Sequence, residues 1–239
     1  MADNPTHVRV DVDGAVATVT LDRPAARNAY SDEMCAQLCD ALNRCERDGD
    51  VRAVVLTGAG ECFHAGGDVK AMKARAGMFA GDPAELRQRY LDGIQAVPRR
   101  IAAFRKPLIC AINGADRGAK LGSTFVKVGL VPGDGGAFFL ARTVGFPRAL
   151  ELMLRGRVLG ADEALQIGLV HEVVDDHELT ARARALAEEL AALPSDALQL
   201  TKRAAYESWN GEVHRALELA ATYQGIAQNH PDHAERLGS

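Results

Sequence analysis

Four things are missing from this 239-residue sequence, and each absence removes a class of function. No apolar run approaches the length that spans a bilayer, which argues against a membrane protein. Positive charge is not in excess: 28 Lys and Arg stand against 32 Asp and Glu, so a formal net charge of −4 offers no basic field to a nucleic acid. The five cysteines (35, 39, 45, 62 and 110) contain no CxxC spacing, and an odd count without it supports neither a disulfide framework nor a zinc site. No HExxH, GxSxG or GxxxxGKS/T pattern occurs, and the glycines of "GAGECFHAGGD" do not fit the dinucleotide fingerprint. The opening "MADNPTHVRVDVDG" has neither the basic nor the apolar region of a secretory signal, so the expected location is the cytoplasm.

What is present is ordinary for one globular chain: 47% hydrophobic and 25% charged residues, with the cysteines read as small core residues. "HVRVDVDGAVATVTL" alternates in the manner of a hairpin turning at Asp13-Gly14. Ser31 is placed to cap a helix carrying Met34, Cys35, Leu38, Leu42 and Cys45 on one face. "VRAVVLTG" and "KPLICAIN" are short, nearly all-apolar runs, as expected of strands buried on both faces. Between them "DPAELRQRYLDGIQAVPRRIAAF" predicts a helix begun by Asp82 and Pro83, with Leu86, Tyr90, Leu91 and Ile94 inward. "STFVKVGLVPGDGG" predicts an extended stretch ending in a glycine corner, and "LVHEVV" a short strand among C-terminal helices. Strands alternating with helices predict a largely parallel α/β sheet.

Two glycine clusters could carry chemistry. In "HAGGDVKAM" the small residues Ala65, Gly66 and Gly67 let a ligand approach the backbone, and a helix starts just after, so free N–H groups could hold an oxyanion. The plain alternative is a strand-to-helix turn. In "GLVPGDGG" Asp134 is either an exposed turn residue or an acid/base group. The seven histidines share no metal-ligand spacing, and His64 and His171 read as structural or solvent-facing groups, so no metal is expected.

Taken in order, "VTLDRPAARNAYSDEM", "VRAVVLTGAGECFHAGGDVKAM", "KPLICAING", "FVKVGLVPGDGGAFFLARTVG", "ALELMLRGRVLGADEALQIGLVHEVV" and "LTKRAAYES" resemble the crotonase superfamily, the enoyl-CoA hydratase/isomerase group. The resemblance spans nearly the whole chain. It implies an α/β spiral of ββα units over residues 1–175, followed by a helical region, 176–239, used in trimerisation. It implies an acyl-CoA thioester as substrate, coenzyme A entering only as part of it, and no separate cofactor. Gly67 would donate one of two backbone N–H bonds that stabilise a thioester enolate. Asp68 would be mainly structural. Ala25 and Arg27 would flank the CoA moiety, with Arg27 suited to a phosphate, and Ala65 and Val69 would line the same side. Standard hydratases carry two glutamates. The position of one is Phe125 here, which can neither activate water nor donate a proton, so Asp134 is the carboxylate left for acid/base work. The implied activity is hydratase-type, with isomerisation by one base as the enzymatic alternative. A CoA-binding protein without catalysis is the alternative from another class.

One piece of the pattern is absent. After "AING" the resemblance calls for a glycine-rich turn that supplies the second oxyanion N–H, then a helix and a strand. Here Gly114 and Ala115 run directly into Asp116, and "ADRGAKLG" is too short for a parallel crossover and too charged for a central buried element. Either the full protein carries further residues between Ala115 and Asp116, which the well-patterned flanks favour, or the segment is truly deleted, and then a poorly folded or inactive hydratase is expected.

Overall fold

The hairpin forms where period-two alternation places it. Strand β1 (Val8–Asp13) pairs antiparallel with β2 (Val16–Leu21), Val10 opposite Val19, and Gly14 turns the chain at φ 59°. The computed structural model describes residues 5–114, 118–209 and 211–237. Helix α1 (Asp32–Arg47) starts at Ser31, whose hydroxyl accepts the Met34 N–H, and it buries Met34, Cys35, Leu38, Leu42 and Cys45. Strand β3 (Ala53–Gly58) lies parallel to β2, and β4 (Leu108–Cys110) parallel to β3, so the sheet order is β1-β2-β3-β4.

Both faces of β3 are covered. Val54 and Leu56 join Ala17, Val19 and Leu21 against α1, while Ala53 and Val55 join Val16 and Ile109 on the opposite face. That second face is covered by Ala183, Ala187 and Ala191 of a later helix, whose small side chains allow close approach. This is why the run Ala53–Leu56 is apolar at consecutive rather than alternate positions.

Between β3 and β4 run helix α2 (Val69–Ala74), then α3 (Pro83–Asp92) and α4 (Ala96–Ala103). The sequence predicts a single helix over the last two, and the structure divides it. Gly93 closes α3 onto the Arg89 carbonyl, and the restart at Ala96 puts Pro98 in a first turn, where its missing N–H breaks no helical bond. Asp82 and Glu85 form a capping box at the start of α3.

After β4 the chain reaches a two-residue strand β5 (Leu121–Gly122). The extended reading of "STFVKVGLVPGDGG" is corrected here. Phe125–Val128 is a 3-10 helix, closed by Gly129 at φ 71° with Leu130 N–H returning to the Phe125 carbonyl. Helix α5 (Gly136–Val144) and α6 (Phe146–Arg155) follow, then β6 (Val158–Leu159), which pairs with β5, and α7 (Ala161–Gln166). "LVHEVV" does not form the expected strand: Gly168 at φ 73° turns the chain, and Leu169 N–H is drawn back to the Ala164 carbonyl. The C-terminal part comprises α8 (Leu179–Ala191), α9 (Ser195–Ser208), α10 (Val213–Gln228) and α11 (Pro231–Leu237), one helix more than the three expected. The junction between Ala115 and Asp116 lies outside the described residues.

Candidate active site

The two glycine clusters are linked by a pair of rings: Phe79 stands 3.4 Å from where a Gly67 Cβ would be and Tyr90 3.2 Å from where a Gly133 Cβ would be, with the ring centroids 6.4 Å apart. Asn28 holds the loops of the first cluster. It is fully buried in the left-handed region at φ 55°, its amide oxygen accepts the Arg23 N–H, and its amide nitrogen donates to the Ala59 and Cys62 carbonyls at 2.9 and 2.6 Å. This fastens the "RPAARNA" loop to the loop after β3. Tyr30 N–H then donates to the Gly66 carbonyl at 2.9 Å, forming an isolated parallel bridge with Gly67.

The "AGGD" loop is tight for a physical reason. Gly66 adopts φ 84°, and a Cβ on Gly67 would run into the Met72 methyl and press on the Phe79 ring. Asp68 is spent on structure: it accepts the Lys70 and Ala71 N–H groups as the cap of α2 and pairs with Arg23 at 3.0 Å. The Ala71 N–H, and then Arg23, hold its carboxyl below the usual range. Two of the amides at the helix start, expected to be free, are therefore taken by Asp68. The Gly67 N–H, like those of Ala65 and Val69, has no acceptor among the described residues.

Asp134 approaches from the other cluster. Its Oδ1 accepts the Gly136 N–H at 3.0 Å, the turn-residue bond that the sequence allows. The corner it sits on is held by Gln95, which donates to the Gly133 carbonyl at 2.7 Å, and by the Tyr90 ring, 3.2 Å from where a Gly133 Cβ would stand. Burial pushes the Tyr30 phenol well above its ordinary value, with the Cys35 and Asp134 charges adding to it. Burial and then Asp134 do the same to Tyr90. Asp134 thus lies within electrostatic reach of the tyrosine that bridges to Gly67, and both phenols stay protonated. His64 completes the cluster, its ring centroid 4.1 Å from that of Tyr30.

Ala25, Arg27 and Ala65 are solvent-exposed in the segments joined by Asn28, with Arg27 in the left-handed region at φ 52°, and Val69, the first residue of α2, is exposed as well. Phe125 is half-buried on its 3-10 helix. Asn28, Arg23, Tyr30, Tyr90 and Gln95 do not stand out in the sequence as site residues. An asparagine after "PAAR", one of the few residue types that tolerates positive φ, is the available signal for the first. Two cavities, of about 560 and 120 Å³, lie under Gln37 and Arg44 of α1 and between α9 and α11, and neither is lined by these residues.

The site therefore combines a glycine loop with an unpaired backbone N–H and a second glycine corner that carries a carboxylate. The comparisons identify the family. The model of the family described as enoyl-CoA hydratase/isomerase matches residues 11–119 and 108–237. The 1,2-epoxyphenylacetyl-CoA isomerase of Escherichia coli (strain K12) is 36% identical over 245 aligned residues, covering 95% of this chain and 92% of that protein. The 4-chlorobenzoyl coenzyme A dehalogenase-1 of an Arthrobacter species is 32% identical, covering 97% of this chain and 89% of its own. The crystal structure of enoyl-CoA hydratase from Bacillus anthracis superposes with a TM-score of 0.90 at 28% identity, covering 98% of this chain and 95% of that one. The chain belongs to the enoyl-CoA hydratase/isomerase family and has the crotonase fold.

The two family matches meet in an overlap at 108–119, which begins at β4. An alignment of 245 positions also exceeds the 239 residues available, so the isomerase carries residues with no counterpart here. Among the described residues no helix is long and apolar enough to cross a membrane, and no cluster of three or more His, Cys, Asp or Glu could hold a metal ion.

Proposed function

We propose that this chain binds an acyl-CoA thioester with its carbonyl oxygen on the Gly67 N–H and moves the α-proton of the acyl group with Asp134, in a hydratase-type reaction. CoA lies along Ala25, Arg27, Ala65 and Val69, where the guanidinium of Arg27 meets a phosphate. The observation that carries this reading is the unpaired Gly67 N–H on a loop packed, through Phe79 and Tyr90, against the corner that bears Asp134. A donor aimed at a developing enolate oxygen stabilises the transition state more than the ground state. Gly114 would lead to the second donor. The working form is a homotrimer, or a dimer of trimers, in the cytoplasm, with no cofactor beyond the CoA of the substrate.

Isomerisation is favoured as the second reading by Phe125 at the position where a second carboxylate would stand. A single base can carry one proton between two carbons, whereas hydration needs a water activated as well. The relatives are named as enzymes, and the reading as a non-catalytic CoA binder draws no support from them. The test is to offer a 2-enoyl-CoA and a 3-enoyl-CoA to the wild type and to Asp134→Asn. Turnover of the preferred substrate is expected to fall roughly 10²- to 10⁴-fold in the variant with binding little changed. Full activity of Asp134→Asn would remove Asp134 from the mechanism.

A further inference from the structure

The glycine loop holds a second arrangement that the reaction scheme does not use. Gly66 N–H donates to Nδ1 of His64 at 3.0 Å, a bond from residue i+2 back to the side chain of residue i. This is the geometry of an Asx turn, made by an imidazole instead of an amide oxygen. The Gly66 carbonyl is taken by Tyr30 N–H, so both polar groups of that residue are tied down, while the Gly67 N–H is not. The ring is kept in place by Tyr30, stacked at 4.1 Å with the planes tilted by 59°. Nε2 is buried and has no partner among the described residues. Leaving a buried donor unmatched costs free energy, and a phenylalanine would fill the same space without that cost. Nδ1 is the atom that explains an imidazole here.

We propose that His64 is the positioning residue of this loop: its Nδ1 holds the Gly66 N–H and so leaves the Gly67 N–H as the donor turned to a substrate oxygen. The part concerning substrate rests on the acyl-CoA reading above. An acceptor at Nδ1 requires a neutral ring with its proton on Nε2. Burial pushes the imidazole down to about 4, and the titratable group packed on it is the Tyr30 phenol, so the ring is neutral at physiological pH.

Three substitutions separate the two nitrogens. His64→Asn puts an oxygen where Nδ1 stands and can remake the bond to Gly66 N–H. His64→Gln reaches only the Nε2 position. His64→Phe keeps the ring and loses both nitrogens. The readout is the ¹³C signal of the thioester carbonyl in butyryl-CoA labelled at that carbon, which reports polarisation without turnover. Wild type and His64→Asn are expected to show the same downfield shift. His64→Gln and His64→Phe should lose most of it and bind butyryl-CoA about tenfold more weakly, with free CoA binding unchanged. Equal shifts in all four proteins would overturn the proposal. The ring ¹⁵N signals of the wild type, recorded without ligand, give an independent arm: a proton on Nε2 retained down to near pH 4 supports it, and a proton on Nδ1 at neutral pH refutes it. If butyryl-CoA binds to none of the four, the acyl-CoA reading fails while the ring signals still decide the role of His64.

Discussion

Asn28 does more for this site than any residue that would touch substrate. Its side chain makes three hydrogen bonds to backbone, and its own backbone takes the left-handed conformation. Asn28→Ala would strand the Arg23 N–H and two carbonyls in a buried place, and is expected to cost about 3 kcal/mol in urea unfolding. Asn28→Gly should recover only about 1 kcal/mol of that, the share due to positive φ. His64 adds a pH dependence at the same scale. Its folded value of about 4 lies below the ordinary 6.5, so the unfolded chain takes up the proton first. The stability held by the neutral ring is complete above pH 6.5 and is lost as the pH falls through 4, up to about 3 kcal/mol. The wild type should therefore lose more stability between pH 7 and pH 4 than His64→Asn does, and equal losses would show that the ring is not held neutral by the fold.

At the scale of elements, the break between α3 and α4 supplies the two side chains that hold the Gly133 corner next to Asp134. Without it Gln95 and Tyr90 would not share the turn that receives the Gly133 corner. Gln95→Ala removes the 2.7 Å bond to the Gly133 carbonyl but no buried apolar group, so turnover is expected to fall about tenfold with Tm nearly unchanged. An equal effect on binding of free CoA would point to general loosening instead. The hairpin, α1, β3 and the Asp82 cap are legible in the sequence because each is encoded locally, by alternation, by 3.6-residue spacing or by a capping residue. Gly67 and Asp134 stand out as members of glycine clusters. The contacts that bring them together are not legible, since Asn28, Tyr30 and Gln95 act across 31 to 38 residues and carry no pattern of their own. Two stretches, 125–128 and 169–174, have strand-like composition but are overruled by the positive-φ glycines at 129 and 168.

For the whole molecule, the decisive feature is the open edge beyond β4. That strand is three residues long and ends the described sheet order, with β3 as its partner and nothing paired on its other side among the described residues. The family matches the chain as two stretches overlapping at 108–119, and the isomerase alignment contains positions that this chain does not fill. On the function proposed above, a 239-residue chain of 25.5 kDa would meet a thioester with the Gly67 donor and without the second oxyanion loop that the family pattern places after Gly114. Losing one such donor costs roughly 10²- to 10³-fold in turnover. The first measurement is an intact mass with peptide mapping across Ala115 and Asp116: a mass of 25.5 kDa excludes an inserted segment, and a heavier chain whose extra residues map to that junction shows that they belong there. With the mass as written, grafting the glycine turn, helix and strand of a family hydratase between those two residues should raise turnover of a 2-enoyl-CoA by about that factor. It should also raise Tm, because the graft gives β4 a partner and covers its open edge. Asp134→Asn in the grafted protein should abolish the gain. A graft that folds, raises Tm and leaves turnover unchanged would mean that the ungrafted chain already holds its oxyanion by other means.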